Sequence, residues 1–369
     1  MNDYLRAKKS NCKNCYKCIR HCPVKSIRFS AGQANIVPEE CILCGQCYVV
    51  CPQDAKQIAD DTERVRVMLD GDAPVYVSLA PAFVARYPGV GGENMDAALR
   101  QLGFAAMEET ALGATIVKRE YDRLLAEENR EILISSCCHS VNMLIQRYFP
   151  GCIKYLADVV SPMVAHATDL KTRHPQAKVV FVGPCISKKD EAEKSGGLVD
   201  AALTFDELDA MLAAKGITPQ HKTQPDQRHP DGKTRLFPIT GGILRSMDCT
   251  SQRHSYLTVD GVENCIAALQ DIESGKVSRC FIEMSACTGS CVGGPVLEKA
   301  GKAPISATQQ IMRRAGLLDF EIEQPAGERL RKAFGYLGLH RQLPSESELA
   351  EILRQMGKSR PEQELNCGS

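Results

Sequence analysis

Residues 12 to 23 read CKNCYKCIRHCP and residues 41 to 52 read CILCGQCYVVCP, two copies of the spacing C-x2-C-x2-C-x3-C-P. Thiolates are soft metal ligands, and this spacing suits the corners of an iron–sulfur cube better than it suits a packed core. The chain has 18 cysteines and no apolar leader before the first of them, which predicts a cytoplasmic, reducing setting. There metal or redox chemistry, not disulfide formation, is the default for cysteine. C-x2-C pairs also build zinc sites, but zinc frameworks rarely need four cysteines per run, twice.

A second set of thiols ends strand-like runs. After a charged linker the chain alternates VYVSLAP (75–81), NMDAALRQLGF (94–104), EILISSCC (131–138), VNMLIQRYFP (141–150) and KVVFVGPC (178–185), with RCFIEM (279–284) further on. That alternation predicts an α/β domain, in which ligands sit beyond the carboxyl ends of parallel strands. The ends carry Ala80, Pro81 and Ala82, then Ser136, Cys137 and Cys138, then Gly183, Pro184 and Cys185, and finally Cys287 and Cys291 in EMSACTGSCVGG. Four thiolates with Cys137 as a neighbour suit another cube, and the small residues after 285 let backbone amides approach its sulfurs.

With 45 Lys plus Arg against 45 Asp plus Glu, nothing global draws the chain to nucleic acid or an anionic membrane. It contains no run of eighteen apolar residues. Partners have to be argued from sites.

Each N-terminal run resembles the bacterial two-cluster ferredoxins. That resemblance implies an α+β ferredoxin domain over residues 1–60, with one [4Fe–4S] cluster on Cys12, Cys15, Cys18 and Cys51 and the other on Cys41, Cys44, Cys47 and Cys22. Behind it SSCCHS, GPCISKKDEAE and EMSACTGSCVGG, in that order, resemble the three signature motifs of the [FeFe]-hydrogenase catalytic domain. The implied domain spans residues 61–325, with parallel sheets flanked by helices and the active site between lobes. Its implied cofactor is the H-cluster, a [4Fe–4S] cube joined to a diiron unit bearing carbon monoxide, cyanide and a bridging dithiolate amine.

On that resemblance Cys138, Cys185, Cys287 and Cys291 hold the cube, Cys291 bridging to the diiron unit. Cys137 faces the bridging amine and passes protons, Glu120 falls at a relay glutamate, and Lys188 holds an iron-bound cyanide. Ala80, Pro81, Ala82, Ser136, His139, Pro184 and Ser285 surround the diiron pocket, and Lys189 is a solvated neighbour. The partners are H2 and protons, with a redox protein such as a ferredoxin or a downstream signalling domain. The sequence does not fix whether the diiron unit is loaded.

Several positions depart from the family's efficient catalysts. His139 replaces a proline and is read as a polar neighbour of the cube in preference to a proton group. Gly183 and Ser285 replace methionines, changes expected to enlarge or polarise the pocket. Arg123 replaces a second relay glutamate and Ala157 a relay serine, so protons leave by another path, Glu191 and Glu283 being candidates, or turnover is slow. Cys152, Cys249, Cys265 and Cys280 have no partner at ligand spacing and read as core thiols.

Helical periodicity over 307–319 and 326–357 predicts a helical tail, residues 326–369, packing on the catalytic domain. The ending PEQELNCGS either resembles the start of a further cluster motif, with Cys367 a ligand in a longer protein, or is a frayed terminus. The functional expectation is a slow, hydrogen-sensing iron–iron hydrogenase. The alternative is a non-catalytic iron–sulfur assembly scaffold of the prelamin A recognition factor type.

Overall fold

The structure, a computed structural model, describes residues 4–8, 11–127, 130–221, 230–249, 251–301, 304–338, 345–358, 360 and 363. Met1–Leu337 form one compact unit and Gly338–Ser369 a second, so the expected boundary at 325/326 lies inside the first.

Near the N-terminus β1 (Leu5–Ala7) pairs antiparallel with β4 (Lys56–Ile58), and β2 (Ile27–Ser30) with β3 (Gln33–Ile36). The β2–β3 turn places Ala31 and Gly32 at φ +49° and +75°, the tight reversal that keeps hairpin strands in register. Each cysteine run ends in a short helix, Lys17–Arg20 or Gln46–Val49. The α+β lobe expected for this region is therefore present.

Two parallel sheets follow. One has the order β6–β5–β8–β9, from β5 (Val75–Leu79), β6 (Ala106–Glu109), β8 (Lys178–Gly183) and β9 (Ala201–Thr204). The central pair, VYVSL and KVVFVG, is apolar on both faces because helices cover both. The other runs β10–β11–β7, from β7 (Ile132–Ile134), β10 (Ser255–Asp260) and β11 (Cys280–Ser285). Its core is shared with the N-terminal lobe: Cys18, Ile42, Leu43 and Cys47 pack in one cluster with Ile132, Ile134, Ile186 and Met284.

The contact between lobe and sheet is tight at Gly45, which has φ +78°. A Cβ there would lie 2.6 Å from Pro295 Cβ and 3.0 Å from Ile186 Cδ1.

The stretch LRKAFGYLGL departs from expectation. The helix Gly327–Leu330 stops just as that stretch begins, and Arg331 bridges to Val159. The chain then runs without regular structure to Gly338. It is held by Lys332 N to Asp158 O (3.0 Å), Gln146 Nε2 to Gly335 O (2.8 Å) and Leu337 N to Gln146 O (3.1 Å). Those bonds satisfy its backbone in place of helical ones, and Gly335 weakens the helical alternative. In the second unit the helix Glu346–Gln355 opens with a capping box of Ser345 and Glu348. Cys367 lies outside the described residues.

Replacing Gly45 by alanine combines a left-handed backbone with a clash and should lower stability by roughly 2 to 4 kcal/mol. Anaerobic denaturant unfolding reads this, and an unchanged midpoint would contradict the packing described.

Candidate metal centres and catalytic cavity

The N-terminal cysteines fall into two groups. Cys12, Cys15, Cys18 and Cys51 line one small hollow, and Cys22, Cys41, Cys44 and Cys47 line another. Each group takes three thiols from one run and one from the other. Cys15 is exposed, whereas Cys22, Cys41 and Cys47 are buried.

Four strand ends from the two parallel sheets meet at a cavity of about 130 Å3. Its wall includes Cys137, Cys138, Cys185, Cys287, Cys291 and Lys188. Ala80, Pro81, Ala82, His139, Pro184 and Ser285 also contribute, and Cys44 reaches the same wall from the N-terminal lobe. Burial, followed by the charges of Cys185, Cys138 and Cys291, pushes the Cys287 thiol well above its ordinary range, and Cys44 adds to this. Cys291 is raised to about 12 by burial and then by Cys185 and Cys138. Thiolates that crowd one cavity and repel one another fit a polynuclear cationic centre, whose charge would offset that repulsion. The donor set therefore fits a [4Fe–4S] cube, with open volume beside it.

Lys188 Nζ donates to Cys137 O at 3.1 Å and pairs with Glu191. Burial acts to lower its pKa, but Glu191, Cys185 and Cys137 outweigh this and hold it above 10.5. Glu191 lies buried between Lys188 and Lys332, the latter at 3.1 Å, and despite its burial the two ammoniums keep it ionised well below the usual carboxylate range.

Sequence reasoning did not anticipate Tyr121. Its hydroxyl lies 3.2 Å from Cys137 Sγ and 3.1 Å from Ser136 Oγ, and it accepts Ser136 N–H at 2.8 Å. Burial raises Cys137 to about 12, although Tyr121 and Lys188 oppose the shift. The neighbouring Glu120 is occupied elsewhere, by Arg123 Nε at 3.0 Å and Gln324 Nε2 at 3.1 Å, and it is absent from the cavity wall. Ser136 is absent from the wall too, its hydroxyl donating to Val159 O at 2.7 Å. Helical spacing could have shown that Glu120 and Tyr121 point in different directions.

His139 Nε2 meets Asp190 Oδ2 at 2.7 Å, and its buried Nδ1 has no partner among the described residues. Two expectations need correction. Lys189 is buried, not solvated, and binds Asp61 Oδ2 at 2.6 Å and Glu207 Oε1 at 2.8 Å, tying the linker to the β9 end. Gly183 does not enlarge the cavity, because the Phe181 ring occupies the space a side chain would take: a Cβ on Gly183 would lie 2.7 Å from Phe181 Cζ. Of the remaining cysteines, Cys152, Cys265 and Cys280 are buried and Cys249 is half-buried.

A sequence profile of the iron only hydrogenase large subunit, C-terminal domain, matches residues 73–295. The chain belongs to the iron-only hydrogenase large-subunit family. A 4Fe-4S dicluster domain profile matches residues 4–52. The NADP-reducing hydrogenase subunit HndD of Solidesulfovibrio fructosivorans is 25% identical over 334 residues, covering 72% of this chain and 57% of its own. Iron hydrogenase 1 of Clostridium pasteurianum is 25% identical over 252 residues, covering 53% and 44%. The chain thus spans about half the length of these curated relatives. Among solved structures, a variant of [FeFe]-hydrogenase HydA1 from Chlamydomonas reinhardtii shares the fold, with a TM-score of 0.56 at 16% identity over 76% of this chain and 100% of that one.

In this family member the cavity-lining Glu283 is 2% exposed, and burial raises its carboxyl from 4.5 to about 7 despite N–H groups donated by Leu244 and Gly241. A raised carboxyl supports folding fully below pH 4.5 and loses that support as pH rises through 7. Glu283→Gln should therefore remove a pH-dependent loss of about 3 kcal/mol across that window. Denaturant titrations of both proteins from pH 4.5 to 7.5 check it, and parallel curves would exclude the shift.

Proposed function

We propose that the chain is an iron–iron hydrogenase catalysing reversible H2 oxidation and proton reduction slowly enough to serve as a hydrogen sensor. The observation that carries the reading is the convergence of Cys138, Cys185, Cys287 and Cys291 on one cavity that also presents Cys137 and Lys188. When bound, the diiron unit supplies heterolytic splitting of H2. The chain's own part is to hold the cube on four thiolates and to present the Lys188 ammonium to an anionic ligand such as cyanide. Ala80, Pro81, Ala82 and Phe181 keep the wall apolar, and the Cys137 thiol holds a proton at Sγ.

Slow turnover follows from the proton side. Glu120 is engaged by Arg123 and Gln324, and buried Ala157 cannot relay. Sensing needs occupancy of the site to be reported and does not need flux. Cys44, which lines the cavity with Cys287, would give electrons an exit into a cluster held by Cys22, Cys41, Cys44 and Cys47, and a cluster held by Cys12, exposed Cys15, Cys18 and Cys51 would be the outlet.

Anaerobic loading with a synthetic diiron complex tests the reading by infrared spectroscopy. Carbon monoxide and cyanide bands that shift under H2 are expected. Their absence, with both N-terminal clusters intact, would favour the scaffold reading.

The outlet has a charge character of its own. Residues 4–38 contain no Asp or Glu, and Lys13, Lys17, Arg20 and Lys25 are exposed around Cys15. Tyr16 and Phe29, 44% and 43% exposed, meet beside them at 5.2 Å. The face suits an acidic redox protein. The double change Lys13→Glu, Lys17→Glu should slow electron exchange with such a protein about tenfold at low salt and little at high salt. Exchange with a small viologen should be unaffected, and equal slowing with both donors would count against docking.

A further inference from the structure

The family's relay positions are disconnected here, yet a different line of exchangeable protons joins the cavity to the surface. Thr110 lines the cavity, and its Oγ1 lies 2.8 Å from Ser78 Oγ. Ser78 Oγ lies 2.8 Å from His166 Nδ1, and His166 Nε2 lies 3.2 Å from Glu108 Oε2. Ser78 and His166 are fully buried, whereas the Glu108 side chain is 23% exposed. All three links are within hydrogen-bond range, and either atom of each hydroxyl pair can act as donor.

We propose that Glu108, His166, Ser78 and Thr110 form the proton path between solvent and the catalytic cavity. The proposal rests on the hydrogenase reading above. The carboxylate takes a proton from water and passes it to His166 Nε2. The ring releases its Nδ1 proton to Ser78 Oγ, Ser78 gives its own to Thr110, and Thr110 would give its own to the basic amine that a bound diiron unit would place in the cavity. At each link one O–H or N–H bond breaks as another forms, so a single proton is moved; His166 is left as its Nε2–H tautomer with both hydroxyls turned about, and all three must return before the next proton passes. Reversal of the same steps carries protons out.

Two features separate this line from a set of core polar groups that merely satisfy one another. Its ends lie at the cavity and at the surface, where satisfaction alone would require neither. It also depends on close approach of the helices Ala111–Ala126 and Pro162–Arg173: a Cβ at Gly113 would lie 2.1 Å from Pro162 O and 2.7 Å from His166 N. A side chain at Gly113 would drive the two helices apart and open the line.

Glu108, His166 and Asp169 offer ligand atoms within 4.8 Å of one another, a spacing that would also suit a divalent cation. Arg173 Nη2 already supplies positive charge there, at 2.7 Å from Glu108 and 2.6 Å from Asp169. Burial notwithstanding, His166 and Arg173 hold Glu108 at about 2, so it carries a proton only in passing, in keeping with slow turnover.

The test uses the full chain with its clusters and a reconstituted diiron unit. Infrared bands are followed after light-driven electron injection, and the rate of the proton-coupled relaxation is read. Thr110→Val, nearly isosteric, and Ser78→Ala should leave the equilibrium bands in place and slow that relaxation about tenfold or more, while Thr110→Ser should restore it. A structural role alone would shift the bands and would not be rescued by a hydroxyl. Wild-type relaxation in both Thr110→Val and Ser78→Ala, or no rescue by Thr110→Ser, overturns the path while the hydrogenase reading stands. Absence of carbon monoxide and cyanide bands in the parent protein would instead bring down that reading and this path with it.

Discussion

Four thiolates cannot share a hollow unless positive charge sits among them, and the first unit is arranged around that constraint. Cys138, Cys185, Cys287 and Cys291 come from the ends of three strands in two sheets, and where they meet, desolvation and then the neighbouring sulfurs raise the thiols of Cys138, Cys287 and Cys291. A strand end is a suitable mount because its direction is fixed by a ladder buried on both sides, as in β8 between β5 and β9. The same constraint recurs in the N-terminal lobe, where each group of four borrows a cysteine from the other run. Metal binding at these three groups of thiols would couple metal to fold.

Around the cavity the chain offsets its own departures. Phe181 fills the side left bare by Gly183 and supplies part of the wall. Lys188 is kept ionised by Glu191, and Lys332, from the irregular segment after Leu330, completes the ion triad around buried Glu191. A lone buried ammonium would shed its proton, whereas one set beside a carboxylate keeps it.

The cysteine runs and the strand ends at Ala80, Cys138 and Cys185 were legible in sequence because ligand spacing and apolar strands are local signals. β6, with the sequence AMEE, and β9, with AALT, were not, since neither has a strand's composition and each is held by its neighbour in the sheet. Tyr121 was hidden for a different reason. Its contact with Cys137 depends on how the helix Ala111–Ala126 is rotated against β7, which nothing nearby in sequence records. Leu330–Leu337 carried a helix-like pattern, but tertiary bonds to Gln146 and Asp158 prevailed over it. Lys189 was misread because its partners, Asp61 and Glu207, flank it at long range.

Ile42 and Leu43 belong to the same apolar cluster as Ile132, Ile134 and Met284, so the N-terminal lobe covers an apolar face of the three-stranded sheet. Unfolding of that lobe would therefore bare an apolar face, the kind of surface that chaperones and proteases engage.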